Sequence, residues 1–143
     1  MAFEEKRAWI MALVTVASYA AYLGVVLRRH EGAAPLAQTS YASPLLWTVG
    51  AAIVTQVALN ITVAIVSPEG ANTKDQRDRE IHRFGMYIGQ SFIVIGGVAG
   101  LVLAMVRADQ FWIANAIYLA FVLSAILSST AKIVAYRLGF HPW

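Results

Sequence analysis

The sequence contains no cysteine. Disulfides, zinc–thiolate centres and thiol nucleophiles are thereby excluded, although the redox compartment is left open. Charge is scarce as well. Only 13% of the 143 residues are Asp, Glu, Lys or Arg, while 59% are hydrophobic, and mean hydropathy is +0.61. A soluble chain of this one-domain length carries about twice that charge. Histidine is limited to His30, His82 and His141, and no two of them have the spacing of a metal site. None lies in an apolar run, where a membrane b-type haem needs its ligands. Neither a metal nor a cofactor is expected.

Where the charge is missing sets the architecture. All 11 basic and 8 acidic residues lie outside four runs: Ala8–Leu27, Pro44–Val66, Phe84–Val106 and Phe111–Ala131, of 20, 23, 23 and 21 residues. About 20 apolar residues at about 1.5 Å each cross a hydrocarbon core of about 30 Å. An α-helix is the single-segment structure that satisfies its own backbone hydrogen bonds in lipid. The fold expected is therefore all-α: a transmembrane four-helix bundle of two antiparallel hairpins, forming a single domain over residues 1–143. The first run follows Lys6 and Arg7 as a signal peptide would, but it is too long for an h-region and ends in Arg28-Arg29.

Orientation follows from the Lys and Arg residues. Eight (Lys6, Arg7, Lys74, Arg77, Arg79, Arg83, Lys132, Arg137) fall on one side and three (Arg28, Arg29, Arg107) on the other. The positive-inside bias puts both termini and the loop over residues 67–83 in the cytoplasm. Trp9, Tyr87, Tyr136 and Trp143 then mark the inner interface, and Tyr41, Trp47, Phe111 and Trp112 the outer one. Ser67-Pro68-Glu69-Gly70 stops the second span. Asn72 or Thr73 is expected to cap a helix that runs from about Lys74 into span three and projects into the cytoplasm. The connection Arg107-Ala108-Asp109-Gln110 is short enough to force spans three and four into a tight hairpin.

Three constellations are candidates for function. In the first, Asp75, Arg77, Asp78, Arg79, Glu80 and Arg83 form a charged helical segment, with Asp75/Arg79 and Asp78/His82 at i,i+4. From Glu69 to Arg83 four acids balance four bases, so the segment suits protein docking better than lipid binding. In the second, Gly85, Gly89, Gly96 and Gly100 fall on one face of span three, opposite a small-residue face of span four (Ala116, Ala120, Ser124, Ser128, Ala131). Such faces pack as a hairpin, as a dimer interface or as a groove. The third is polar: Thr48, Thr55 and Thr62 share one face of span two, with Gln56 and Asn60 beside them. Gln90 and Asn115 are the candidate partners of the two amides.

No span contains Asp, Glu, Lys, Arg or His, so the titratable group that proton-coupled transporters use is missing. The loop carboxylates do not match the Asp-x-x-Asp-Gly spacing of membrane alcohol phosphotransferases. Lys132 beside Ser128 and Ser129 is explained by snorkelling to the interface.

Phe3-Glu4-Glu5-Lys6, Lys74-Asp75-Gln76-Arg77-Asp78-Arg79-Glu80-Ile81, Gly89-Gln90-Ser91-Phe92 and Ala131-Lys132-Ile133-Val134-Ala135-Tyr136-Arg137, with Gly139-Phe140 and Pro142-Trp143, carry a resemblance over most of the chain. They resemble a family of small uncharacterised four-span bacterial membrane proteins, mainly actinobacterial. The resemblance implies the fold and the bacterial cytoplasmic membrane, and carries no activity with it. Genes for similar small proteins often lie beside helix-turn-helix regulators, which implies a sensing or antagonist role.

The expected function is a non-catalytic interaction or regulatory protein that docks a partner through residues 74–83. Its partners are the lipid bilayer and either a second copy or another membrane or cytoplasmic protein, with no direct contact to nucleic acid. The alternative is binding or transport of a lipid or apolar compound in a groove between spans two and three.

Overall fold

A computed structural model describes residues 2–30, 32, 35–71 and 75–139. Helix α1 runs over Phe3–Arg29, α2 over Ala42–Val66, the single turn α3 over Pro68–Ala71, α4 over Gln76–Met105 and α5 over Gln110–Leu138. A 3-10 turn at Leu36–Gln38 lies between α1 and α2. There is no strand among the described residues, and α1, α2, α4 and α5 are each long and apolar enough to cross a membrane. Their apolar side chains face outward: Leu46, Trp47, Ile65, Val66 and Met105 are all at least 70% exposed. In water a surface of this kind would aggregate, whereas acyl chains solvate it. The chain has the build of a multi-pass membrane protein.

The two hairpins form as expected, and they join edge to edge. Helix α4 packs on α5, α5 on α1, and α1 on α2, so the bundle is an open row in the order α2, α1, α5, α4. No interface of similar size joins the outer helices α2 and α4. The α4–α5 interface is the most extensive, and glycine makes it possible. A Cβ built on Gly85 would meet the Lys132 stem at 2.7 Å, and one on Gly89 would meet Ser124 Oγ at 2.9 Å. On Gly96 it would lie 2.0 Å from Ala120 Cβ. The two backbones thus sit closer than any side-chain-bearing face of α4 would allow.

Local chemistry sets the helix ends. Asp75 caps α4: its Oδ1 accepts the Asp78 N–H at 2.8 Å, and Asp78 Oδ2 accepts the Asp75 N–H at 3.4 Å. This reciprocal capping box satisfies two otherwise orphaned donors. The cap is therefore Asp75, one residue beyond the expected start at Lys74. Asn72, Thr73 and Lys74 lie outside the described residues, as do His141 and Trp143. The turn into α5 is a Schellman motif: Ala108 N–H donates to Leu103 O at 2.9 Å and Arg107 N–H to Ala104 O at 3.1 Å. Its pivot, Arg107, has φ +57, a left-handed conformation usually filled by glycine.

The helices overhang the expected spans at one end. Span three was expected to project, and the overhang is shared: α1 begins at Phe3, α4 at Gln76 and α5 continues to Leu138. Lys132 ends the uncharged run of span four without ending its helix, because Ile133 and Ala135 remain buried against neighbouring helices. At 30 residues α4 is about 45 Å long, well beyond a bilayer core of about 30 Å. The end that holds the overhangs and both termini is called the terminal end below; the other is the hairpin end.

The seam sets up a paired test. Gly96→Ala should destabilise the detergent-solubilised bundle by about 1–3 kcal/mol, because Ala120 Cβ cannot swing away. Gly97→Ala, which meets nothing within 4 Å, should be neutral or stabilising by up to about 1 kcal/mol. Equal thermal shifts for the two would contradict the seam. Arg107→Gly should stabilise the fold by about 1 kcal/mol, read in the same melts, by relieving the left-handed arginine.

Candidate functional site

At the terminal end three helices build a polar network. Glu5, only 7% exposed, accepts from Arg137 Nε at 3.0 Å, which ties the start of α1 to the end of α5. The Arg137 guanidinium also lies over the Trp9 ring, 5.6 Å from its centroid. Tyr136 OH donates to Asp78 Oδ1 at 2.7 Å and so ties α5 to α4. Arg7 Nε donates to Asn60 Oδ1 at 3.1 Å and joins α1 to α2. Ile81 and Ser129 are fully buried among these groups, and Ser129 Oγ has no hydrogen-bond partner.

This network corrects the expected docking residues. The Asp75 and Asp78 carboxylates meet the helix cap, and Asp78 also accepts from Tyr136. Along α4, Gln76 Nε2 donates to Glu80 Oε1 at 3.1 Å. Asp78, Glu80 and Ile81 are partly or fully buried, while Arg77, Arg79 and Arg83 are exposed. The segment therefore divides into an inward face held by α5 and an outward basic face.

The expected groove between spans two and three is not formed. Helix α2 lies on α1, at the far side of the row from α4, and the glycine face that was to line the groove is filled by α5. Nor do the amides pair with each other. Asn60 accepts from Arg7, and Asn115 accepts from Tyr22 OH while its Nδ2 donates to Phe111 O at 2.7 Å. Gln56 lines a shallow groove between α1 and α2 with Met11 and Thr15. Of the three threonines, Thr48 and Thr55 line one groove between α1 and α2. Thr48 bonds Pro44 O at 2.8 Å, Thr62 bonds Ala58 O at 2.8 Å from an exposed position, and Thr55 is exposed.

Gln90 takes a different place. It is exposed on α4, on the side turned away from α5. Arg79, Arg83, Tyr87, Gln90, Val94, Gly97 and Leu101 recur at spacings of three and four, so they share one helix face. Every one of them is exposed, and that face lies roughly opposite Gly85, Gly89, Gly96 and Gly100. It combines two cations at the terminal end with an amide and a glycine at bilayer depth.

The hairpin end holds what the sequence reading missed. Tyr22, Val26 and Phe111 are buried together, with Tyr19, Tyr41, Tyr118 and Leu36 packed around them. The Tyr19 and Tyr22 rings meet Tyr118 edge to face, with centroids 5.4 and 4.9 Å apart, and Tyr41 meets Phe111 at 5.5 Å. Phe111, expected in the interfacial belt, is only 4% exposed. Tyr19 and Tyr22, one turn apart in an apolar run and level with Asn115 on the facing hairpin, were the available signal: a tyrosine in lipid needs a partner for its hydroxyl.

No family model, curated protein or solved structure matches the chain. The functional reading therefore rests on the geometry.

Tyr136→Phe should lower stability by about 1–2 kcal/mol, because Asp78 loses a charge-assisted hydrogen bond near the water boundary. The measurement is thermal unfolding in detergent, and no change would show the contact to be incidental.

Proposed function

We propose that the protein is a non-catalytic interaction module of the bacterial cytoplasmic membrane, with both termini inside, that docks a membrane partner along the outward face of α4. The observation that carries this reading is Gln90. It is an amide exposed at bilayer depth on a helix whose opposite side is already packed. A primary amide facing acyl chains leaves hydrogen-bonding groups unsatisfied, and a partner helix supplies the missing bonds. Gly97, seven residues on, meets nothing within 4 Å and lets a second backbone approach.

The cations narrow the partner. Arg79 and Arg83 continue the same face towards the terminal end. A second copy related by a two-fold axis along the membrane normal would set Arg83 against Arg83. A different protein, with a membrane helix and acidic residues just inside the bilayer, meets complementary charge along the whole stripe. Docking of this kind suits regulation: occupancy of α4 sets the state of the partner, without bond chemistry in this chain. The resemblance to the four-span family supports the same role.

The test uses tagged protein extracted in mild detergent from its native membrane. Wild type should retain a membrane protein at a fixed ratio. Gln90→Leu and Arg83→Glu should each reduce retention at least several-fold without lowering the melting temperature. Retention that survives both substitutions would refute docking at this face. The chain has no cysteine, so Gly97→Cys reports cleanly on proximity. A strong disulfide dimer in intact membranes would assign the face to a second copy.

A further inference from the structure

The hairpin end carries a cleft of about 380 Å³ that the docking reading does not use. It is built from three helices and the 3-10 turn: Tyr19, Leu27 and Val26 from α1, Leu103 from α4, Phe111 and Leu119 from α5, and Leu36 as a roof. Its lining along α1, from Tyr19 to Leu27, spans about 12 Å. The other depressions are less built. One of about 500 Å³ lies along the surface of α2 alone, and the one between Gly96 and Phe121 holds about 110 Å³.

We propose that this cleft binds one anionic phospholipid, with an acyl chain among the aromatic and leucine side chains and the phosphate at the rim. Charge complementarity names the occupant. Arg28 and Arg29 directly follow the lining residue Leu27, and Arg107 lies in the turn between the lining residues Leu103 and Phe111, so the arginines of the hairpin end stand close in the chain to residues of the cleft. Asp109, beside Arg107, and Glu31 are the acidic residues of that end, which leaves a positive excess of one. His30 lies one turn beyond Val26 on α1. Its Nδ1 is buried with no hydrogen-bond partner. The cleft wall is otherwise satisfied, since both ends of the Asn115 amide are bonded within the protein. Recognition therefore acts through apolar contact inside and charge at the mouth. A neutral lipid makes only the first contact, and free phosphate only the second.

Arg107 separates binding from folding. Glycine at 107 relieves the left-handed backbone, so a purely structural role makes Arg107→Gly a gain on every measure. A role in phosphate binding makes it gain stability and lose lipid.

The experiment uses the full chain, purified and delipidated in detergent, with added phosphatidylglycerol, phosphatidylcholine of the same acyl chains, or inorganic phosphate. Native mass spectrometry and thermal melts are the readouts. The expected result is one retained phosphatidylglycerol, at least tenfold preferred over phosphatidylcholine, with a rise in melting temperature that inorganic phosphate does not reproduce. Arg107→Gly should raise the melting temperature of the lipid-free protein and cut that preference several-fold. Arg28→Gln with Arg29→Gln should cut it further. Leu119→Trp, which fills the cleft from a partly exposed position, should abolish retention of both lipids while the lipid-free melt stays near wild type. Equal retention of the two lipids, an unchanged preference in the arginine variants, or retention in Leu119→Trp would each overturn the proposal.

Discussion

The close approach of α4 to α5 is the constraint on which the rest of the structure depends. In lipid, helices gain little from hiding apolar surface from each other, because acyl chains are as apolar as leucine. Association then rests on packing and on polar contacts. Four glycines of α4 give up their side chains so that Ser124, Ser128, Ala120 and Ile117 of α5 can sit against bare backbone. This fixes the rotation of α4 about its own axis. Once the glycine face is committed to α5, Asp78 must point at Tyr136 and Ile81 must be buried. Arg79, Arg83, Gln90 and Gly97 must then point away. The outward stripe is thus a geometric consequence of the seam.

The spans were legible because their signal is long and needs no tertiary information: an uncharged run of some 20 residues has few other places to go. The glycine face was legible for a similar reason, since its period is set by one helix and its complement by the next. The short turn at Arg107–Gln110 made α4 and α5 neighbours before any contact was known. What could not be read was the order of the helices. Two hairpins can dock in several ways, and the sequence pattern is the same in all of them. The groove between spans two and three failed on this point, because Asn60 faces Arg7 of α1 and α2 packs on α1 rather than on α4. Helix ends beyond the bilayer were also lost. A charge such as Lys132 ends an apolar run but not a helix, and burial of Ile133 and Ala135 is a tertiary fact.

The two ends solve different problems. At the terminal end the overhanging turns of α1, α4 and α5 stand where water is near, and single charged or polar contacts hold them: Arg137 to Glu5, and Tyr136 to Asp78. Such contacts are directional and fix the overhangs in register. The hairpin end is held instead by rings. Tyr19, Tyr22 and Tyr118 pack edge to face, and the Tyr22 hydroxyl finds Asn115. Aromatic side chains bring area and shape at low entropic cost, but large rings between helices rarely close every gap. The cleft beside Phe111 is the gap they leave, and its place among three helices explains why no single-helix pattern announced it.

An open row has two edge helices, and they are not equivalent. Helix α2 rests mainly on α1, with no glycine seam. Gly50 meets nothing within 4 Å, and a hydrogen bond from Arg7 to Asn60 ties its terminal-end half to α1. Helix α4 is locked by the seam along its membrane length and again by Tyr136 beyond it. A surface that selects one partner must hold its groups in fixed register, because each unrestrained rotor or sliding helix adds an entropic cost to binding. Both edges expose apolar faces to lipid. Only α4 presents its face rigidly, with an amide, an open glycine and two cations in a single line. That difference in anchorage, more than any difference in hydrophobicity, makes α4 the edge on which specific recognition can be built.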